Sequence, residues 1–176
     1  MNHKKFSLKV KRILNLSRSE ALRLGHDYLG TEHLLLGMIE DNDNLAVKVL
    51  DSMDIDFTEL KFKIEDTSVE TAQDLAQSNM GNLRLNKQLE KILKVTPLEA
   101  KNLKSEEIFP EHLMLSILRH KDNAASNILE EFDIDYDSYR SELEYVIQEQ
   151  DAAMQDIYGS VPSDSDIPIE DEGERM

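Results

Sequence analysis

The chain contains no cysteine, so neither a disulfide framework nor a cysteine-ligated metal is available to it. No apolar run approaches the roughly 20 residues a membrane-spanning helix needs, and the opening MNHKKFSLKVKR has charge but no apolar core of a secretion signal. The sequence therefore predicts a cytoplasmic protein with no membrane partner. Catalytic signatures are missing too. There is no GxxxxGK[ST] phosphate loop, no GxSxG elbow and no HExxH metal helix, and the serines and histidines fall at no spacing that singles out a triad. The expectation is a chain that is not an enzyme by itself, with no catalytic residue, no metal and no cofactor of its own. Positive charge is also scarce, at 20 Lys+Arg against 36 Asp+Glu for a net charge of −16. Phosphate backbones need lysine and arginine, so nucleic acid is excluded as a partner. The locally basic start (Lys4, Lys5, Lys9, Lys11, Arg12, Arg18, Arg23) reads as a solvated helix face.

What charge there is sits unevenly. Residues 149–176 hold 9 acidic residues against Arg175 alone, half of the net charge on a short tail. From residue 159 the tail combines proline, serine and acid with few apolar side chains, a composition that cannot bury enough surface to order itself.

The rest of the chain is a duplication. Shifted on itself by 79 residues, with no gap, the sequence superposes Ile13-Leu14 on Ile92-Leu93, Glu20-Ala21 on Glu99-Ala100, and Glu32-His33-Leu34 on Glu111-His112-Leu113. The register continues through Asp43-Asn44 on Asp122-Asn123, Leu50 on Leu129, and Asp54-Ile55-Asp56-Phe57 on Asp133-Ile134-Asp135-Tyr136. Such a period marks two copies of one supersecondary unit.

Each copy reads as four helices. Val10, Ile13, Leu14, Ser17, Ala21 and Leu24 share one face at helical period, followed by a short stripe of Leu34, Leu35, Met38 and Ile39. Ala46, Val49, Leu50 and Met53 make a third stripe, opened by Asp43 as N-cap, and Asp56-Phe57-Thr58-Glu59 has capping-box form at the head of a fourth. The second copy repeats these stripes, with a last helix from Asp137 to Tyr158. No segment alternates at period two for long enough to argue a strand. The expected fold is all-α: two pseudo-symmetric four-helix repeats, about eight helices, with a disordered acidic C-terminal tail. The boundaries are 1–66 for the first repeat, 67–84 for a mobile linker, 85–158 for the second repeat and 159–176 for the tail. Pro97 interrupts the long helix of the second copy, where proline costs about 3 kcal/mol, so a kink or restart is expected at Thr96-Pro97.

The repeated Glu-His-Leu has a structural explanation. Thr31 caps a helix, Glu32 lies in its first turn where the dipole favours a carboxylate, and His33 hydrogen-bonds the preceding loop and packs under the neighbouring helix. Adjacent Glu and His on a helix point apart, which argues against one metal ion between them.

The stretch Leu29-Gly-Thr-Glu-His-Leu-Leu-Leu-Gly-Met38, followed by Ala46-Val-Lys-Val-Leu50 and Met53-Asp-Ile-Asp56, resembles the Clp N-terminal repeat. The opening Phe6-Ser7-Leu8-Lys9 and the run Glu20 to Tyr28 are similar to the start of that repeat, and both copies within 6–150 are covered. The likeness is greatest to the ClpC branch of AAA+ unfoldases, next to ClpA. It implies a mobile N-terminal domain that receives substrate and adaptor proteins, monomeric in isolation. Downstream ATPase modules, with ATP as their cofactor, would form a hexamer and feed a ClpP-type peptidase. The acidic tail would be the linker toward such a module. It also implies one phosphoarginine-like site per repeat: Glu32 on the guanidinium with Ser7 beside the phosphate, and Glu111 with Asn86 in the second. Pro110 replaces the threonine before the second glutamate. Both glutamates read equally well as plain helix-dipole partners. A free-standing Clp-repeat adaptor or stress protein without ATPase activity is the alternative, which a Walker A motif further along the native chain would decide.

Overall fold

A computed structural model of the protein describes residues 4–74 and 83–159, and the side chains of 4–67 and 83–155. Two units result, residues 1–140 and 141–176. The first holds β1 (Lys5–Phe6), α1 (Leu8–Arg23), β2 (Tyr28–Leu29), α2 (Thr31–Asp41), α3 (Leu45–Ser52) and α4 (Phe57–Asp74) of the first repeat. It also holds β3 (Arg84–Leu85), α5 (Lys87–Asn102), β4 (Glu107–Ile108), α6 (Pro110–Arg119) and α7 (Ala124–Glu130) of the second. Helix α8 (Tyr136–Gly159) begins in the first unit and supplies the described part of the second. Within that second unit the Tyr145 hydroxyl donates to Glu149 Oε2 at 2.9 Å, one turn along.

Among the described residues, eight helices match the all-α reading. Four two-residue strands were not foreseen. They are too short to show alternation, and each pairs with a strand of the other repeat: β1 with β4 and β2 with β3, both parallel. Helix α4 runs to Asp74, so the segment expected as a linker from residue 67 begins as helix and ends as strand at Arg84. Residues 75–82 and the tail from 160 lie outside the described residues.

Helix α1 packs on α2, and α5 on α6. The first crossing is tight because Gly37 has no side chain: a Cβ there would stand 2.3 Å from Ser17 Oγ and 2.7 Å from the Ile13 carbonyl oxygen. Ser17 occupies that carbonyl with its own hydroxyl at 2.7 Å. The second crossing keeps the carbonyl and changes the partners. Thr96 Oγ1 donates to Ile92 O at 2.5 Å, and Ser116, in Gly37's place, donates to the same oxygen at 3.2 Å. Pro97 neither ends nor restarts α5, which continues as one helix to Asn102. The core of each repeat is the predicted stripe, with Val10, Ile13, Leu34, Leu35, Leu50 and their counterparts Leu89, Ile92, Leu113, Met114, Leu129 fully buried.

The repeats join crosswise, α2 against α7 and α3 against α6. Two bonds mark that seam. Thr31 Oγ1 accepts from the Ala125 amide at 3.0 Å, and the buried Tyr139 hydroxyl donates to the Ala46 carbonyl at 3.0 Å. Two N-caps shift from expectation. Gly30, not Thr31, caps α2, and Asn44, not Asp43, caps α3, its Oδ1 accepting from the Val47 amide at 3.0 Å.

Candidate functional site: two helix heads shared between the repeats

The site begins with how α2 and α6 start. A helix head leaves its first amides without partners. In a capping box, the side chain at the third helical position reaches back to the N-cap amide, a task usually given to Glu or Gln. Here histidine does it: the Gly30 amide donates to His33 Nδ1 at 2.9 Å, and the Phe109 amide to His112 Nδ1 at 2.8 Å. This is why Glu-His-Leu recurs. Burial pushes the His33 ring down to about 3, with His26 adding to the effect, and burial pushes His112 down to about 4. Both rings are neutral acceptors at Nδ1, so His33 carries its proton on Nε2 and donates it to His26 Nδ1 at 2.6 Å. The ring of Tyr28 stacks on His26 with centroids 5.1 Å apart.

With histidine serving the cap, the preceding glutamate is left over. Glu32 is buried, its Oε2 accepts from the Tyr28 hydroxyl at 2.6 Å, and its Oε1 has no partner. Burial first, and then the nearby Glu32 charge, raise the Tyr28 phenol well above its usual range, so it stays a donor. The unpaired Oε1 packs so closely on the backbone of residue 30 that only glycine fits there. A Cβ there would stand 2.4 Å from Glu32 Oε1 and 2.8 Å from Asn86 Nδ2.

Asn86 arrives from the other repeat. Pairing of β2 with β3 sets Leu29 beside Leu85, and the Asn86 amide then donates to Leu29 O at 2.9 Å. Its Oδ1 caps α5 by accepting from the Leu89 amide at 2.8 Å, which leaves Nδ2 toward Gly30. The mirror arrangement holds at the second head. Pairing of β1 with β4 brings Ser7 to the start of α6, its amide donating to Ile108 O at 3.0 Å and its Oγ accepting from Val10 at 3.1 Å.

All four expected residues thus stand at helix heads, but the pairing within each repeat is overturned. Glu32 shares its head with Asn86, and Ser7 stands at the head that carries Glu111. The physical reason is the pair of parallel ladders, which exchange the N-caps of α1 and α5 between copies. The expectation missed Tyr28 and Gly30 as well. A glycine directly before a helix start, with an aromatic residue two positions earlier, was the available signal.

The second head is built differently. Glu107 replaces Tyr28 and Phe109 replaces Gly30, so Glu111 has no phenol to hold it. Burial lifts its carboxyl to about 7, opposed by a bond from its own backbone amide. Chemically, a buried carboxylate with one unpaired oxygen is a receptor for a cationic N–H donor, and a guanidinium offers two in fixed geometry. Among the described residues no group of three His, Cys, Asp or Glu is placed to hold a metal ion, and no helix is long and apolar enough to cross a membrane.

Fold and site together define a tandem helical-repeat domain in which each copy supplies residues to the helix head of the other. The chain belongs to the family of the Clp repeat (R) N-terminal domain, which matches it over residues 5–132 and 84–165. Its curated relatives include the chloroplastic chaperone protein ClpC2 of Arabidopsis thaliana, 28% identical over 171 residues, covering 96% of this chain and 17% of that protein. Another is a probable ATP-dependent Clp protease ATP-binding subunit of Chlamydia pneumoniae, 33% identical over 139 residues, covering 79% and 16%. The Staphylococcus aureus (strain USA300) subunit ClpC is 28% identical over 138 residues, covering 77% and 16%. The chain therefore spans about a sixth of the length of these relatives. Among solved structures, the Hsp104 N-terminal domain of Candida albicans superposes with a TM-score of 0.64 at 14% identity, covering 80% of this chain and 89% of that one. The N-terminal domain of ClpD from Arabidopsis thaliana does so at 0.55 and 17% identity, covering 82% and 95%. These likenesses show the fold, which is that of the N-terminal domain of ClpC/ClpA-type chaperones.

Proposed function

We propose that this domain is a docking module without chemistry of its own, receiving substrate and adaptor proteins for an ATP-driven Clp unfoldase that hands them to a ClpP-type peptidase. The names of the relatives, Clp chaperones and ATP-binding subunits of Clp proteases, support this reading. The more specific ligand is phosphoarginine on marked substrates. One observation carries it: Glu32 Oε1 is buried and unpaired, packed against Gly30 beside the Asn86 amide of the other repeat. A guanidinium that reached this oxygen would satisfy it, and the Asn86 amide with the head of α5 would face the phosphoryl group.

Calorimetric titration with free phosphoarginine, with arginine and phosphoserine as controls, tests this on the wild-type chain, Glu32→Gln and Glu111→Gln. Saturable binding of phosphoarginine alone is expected, with Glu32→Gln weakening the first site at least tenfold. Heat that is unchanged in Glu32→Gln, or absent at millimolar ligand, sinks the phosphoarginine reading and leaves the carboxylate a partner of the helix dipole.

A further inference from the structure

The two repeats also differ at the opposite ends of α2 and α6. In the first, Asp41 closes α2 with a buried carboxylate whose Oδ1 accepts from Arg12 Nε at 2.9 Å and Lys9 Nζ at 3.3 Å. Its Oδ2 accepts from Asn44 Nδ2 at 2.8 Å and the Asp43 amide at 3.2 Å. Burial pushes this carboxyl up, but the bonds from Asn44, Arg12, Asp43 and Lys9 together hold it below the usual carboxylate range.

The 79-residue register carries most of this cradle into the second repeat and removes its occupant. Lys91 stands for Arg12, Asn123 for Asn44 and Asp122 for Asp43, and Lys87 adds a cation where the first repeat has Leu8. His120 stands where the carboxylate was. Asn123 Nδ2 keeps the counterpart of the Asn44–Met38 bond, donating to the Ile117 carbonyl at 3.0 Å, and where Asn44 turns to Asp41 it turns to the His120 carbonyl. The ammoniums of Lys87 and Lys91 have no ion pair among the described residues, and both line a pocket of about 210 Å³ with His120, Asp122 and Asn123. Burial, then Lys91 and Arg119, lower the His120 ring, with Glu99 opposing, so at neutral pH the ring is neutral and the pocket's positive charge comes from the two lysines.

We propose that this pocket binds a carboxylate supplied from outside, the side chain of an aspartate or glutamate in an acidic segment of a docked polypeptide. Asp41 is the pattern for the ligand: the chain shows, in its first copy, the group that such a cradle holds. Two ammoniums outweigh the single Asp122 carboxylate on the rim. A chain of net charge −16 repels acidic ligands at large, so an acidic segment is retained only where local cations hold it. The inference is independent of the guanidinium reading at Glu32.

The test is a titration of the 176-residue chain with acetylated hexaglutamate, followed by amide chemical shifts, with hexaglutamine and inorganic phosphate as comparison probes. Saturable shifts at Lys87, Lys91, Asp122 and Asn123 are expected with hexaglutamate alone. Lys87→Gln with Lys91→Gln should weaken binding at least tenfold, and Asp122→Asn should strengthen it severalfold. His120→Asp, which reinstates the internal carboxylate, should abolish it, and Glu32→Gln should leave it unchanged. The proposal is overturned if hexaglutamate does not saturate, if the double lysine variant binds equally well, or if phosphate binds more tightly than the peptide. Both lysines are exposed, so the double variant answers whether or not His120→Asp folds.

Discussion

The heads of α2 and α6 share a backbone, a histidine cap and a glutamate, yet support that glutamate in opposite ways. At the first, Tyr28 bonds one carboxylate oxygen and Gly30 lets the other pack against its backbone. At the second, Phe109 and Glu107 replace both, and the Glu111 carboxyl rises to about 7. What was duplicated is the cap; what diverged is the wall around the carboxylate. An acidic residue repeated at the same place in a repeat is therefore not a repeated charge.

Four sets of substitutions probe how deep that divergence goes. The largest effect is expected from importing the second repeat's residue into the first α-helical crossing. Gly37→Ser puts a Cβ against the Ile13 carbonyl and the Ser17 amide, and backbone does not yield cheaply, so unfolding in urea should show a loss of about 3 kcal/mol or more. The reverse change, Ser116→Gly, should cost about 1 kcal/mol, since it removes a hydroxyl that only shares Ile92 O with Thr96.

Next comes Glu111→Gln. An unfolded glutamate titrates near 4.5 and the folded one near 7, so within that window the folded chain holds the extra proton and stability falls as pH rises. The full difference, reached above pH 7, is roughly 3 kcal/mol. Urea midpoints at pH 5, 6, 7 and 8 should show that decline in the wild type and lose it in the glutamine variant. An unchanged slope would mean that Glu111 is charged and partnered after all.

A smaller effect separates the two caps. His33→Gln keeps an acceptor for the Gly30 amide but abandons the bond to His26, at a cost of about 2 kcal/mol, whereas His112, which packs on Phe109 with no second histidine to bond, should cost about 1 kcal/mol as His112→Gln. His33 titrates near 3 when folded and near 6.5 when unfolded, so its contribution is complete above pH 6.5 and is lost as pH falls toward 3. The acid limb of the stability curve should accordingly be shallower in His33→Gln. The smallest change is Thr31→Val, which strands the Ala125 amide at the seam for about 1 kcal/mol. Pro110→Ala, at the matching position, should be near neutral because proline there makes no such bond.

Much of this was legible in the sequence. The 79-residue register and the helical stripes gave the double repeat, because burial imposes a periodicity that survives divergence. Glu32 and Glu111 were found at helix starts for the same reason. What could not be read was which copy's N-cap meets which glutamate. Two-residue ladders such as Tyr28-Leu29 with Arg84-Leu85 leave no alternation, and their pairing is fixed only once the repeats stack. The restart expected at Pro97 did not occur: α5 runs through it as one helix, on which Thr96 and Ser116 both bond the Ile92 carbonyl. The caps at Gly30 and Asn44 each lie one residue from expectation, an offset that several adjacent polar residues leave open.

The crossed ladders carry a consequence for ancestry. A helix head with its carboxylate from one copy and its neighbouring amide from the other could not have existed before the copies were joined, unless two ancestral chains met as a pair. A single repeat expressed alone would be half a lock, and mixing the two halves as separate chains is the way to reconstruct that ancestor. Drift in either copy is then felt in both heads, so the two halves evolve under a shared constraint despite lying 79 positions apart in sequence.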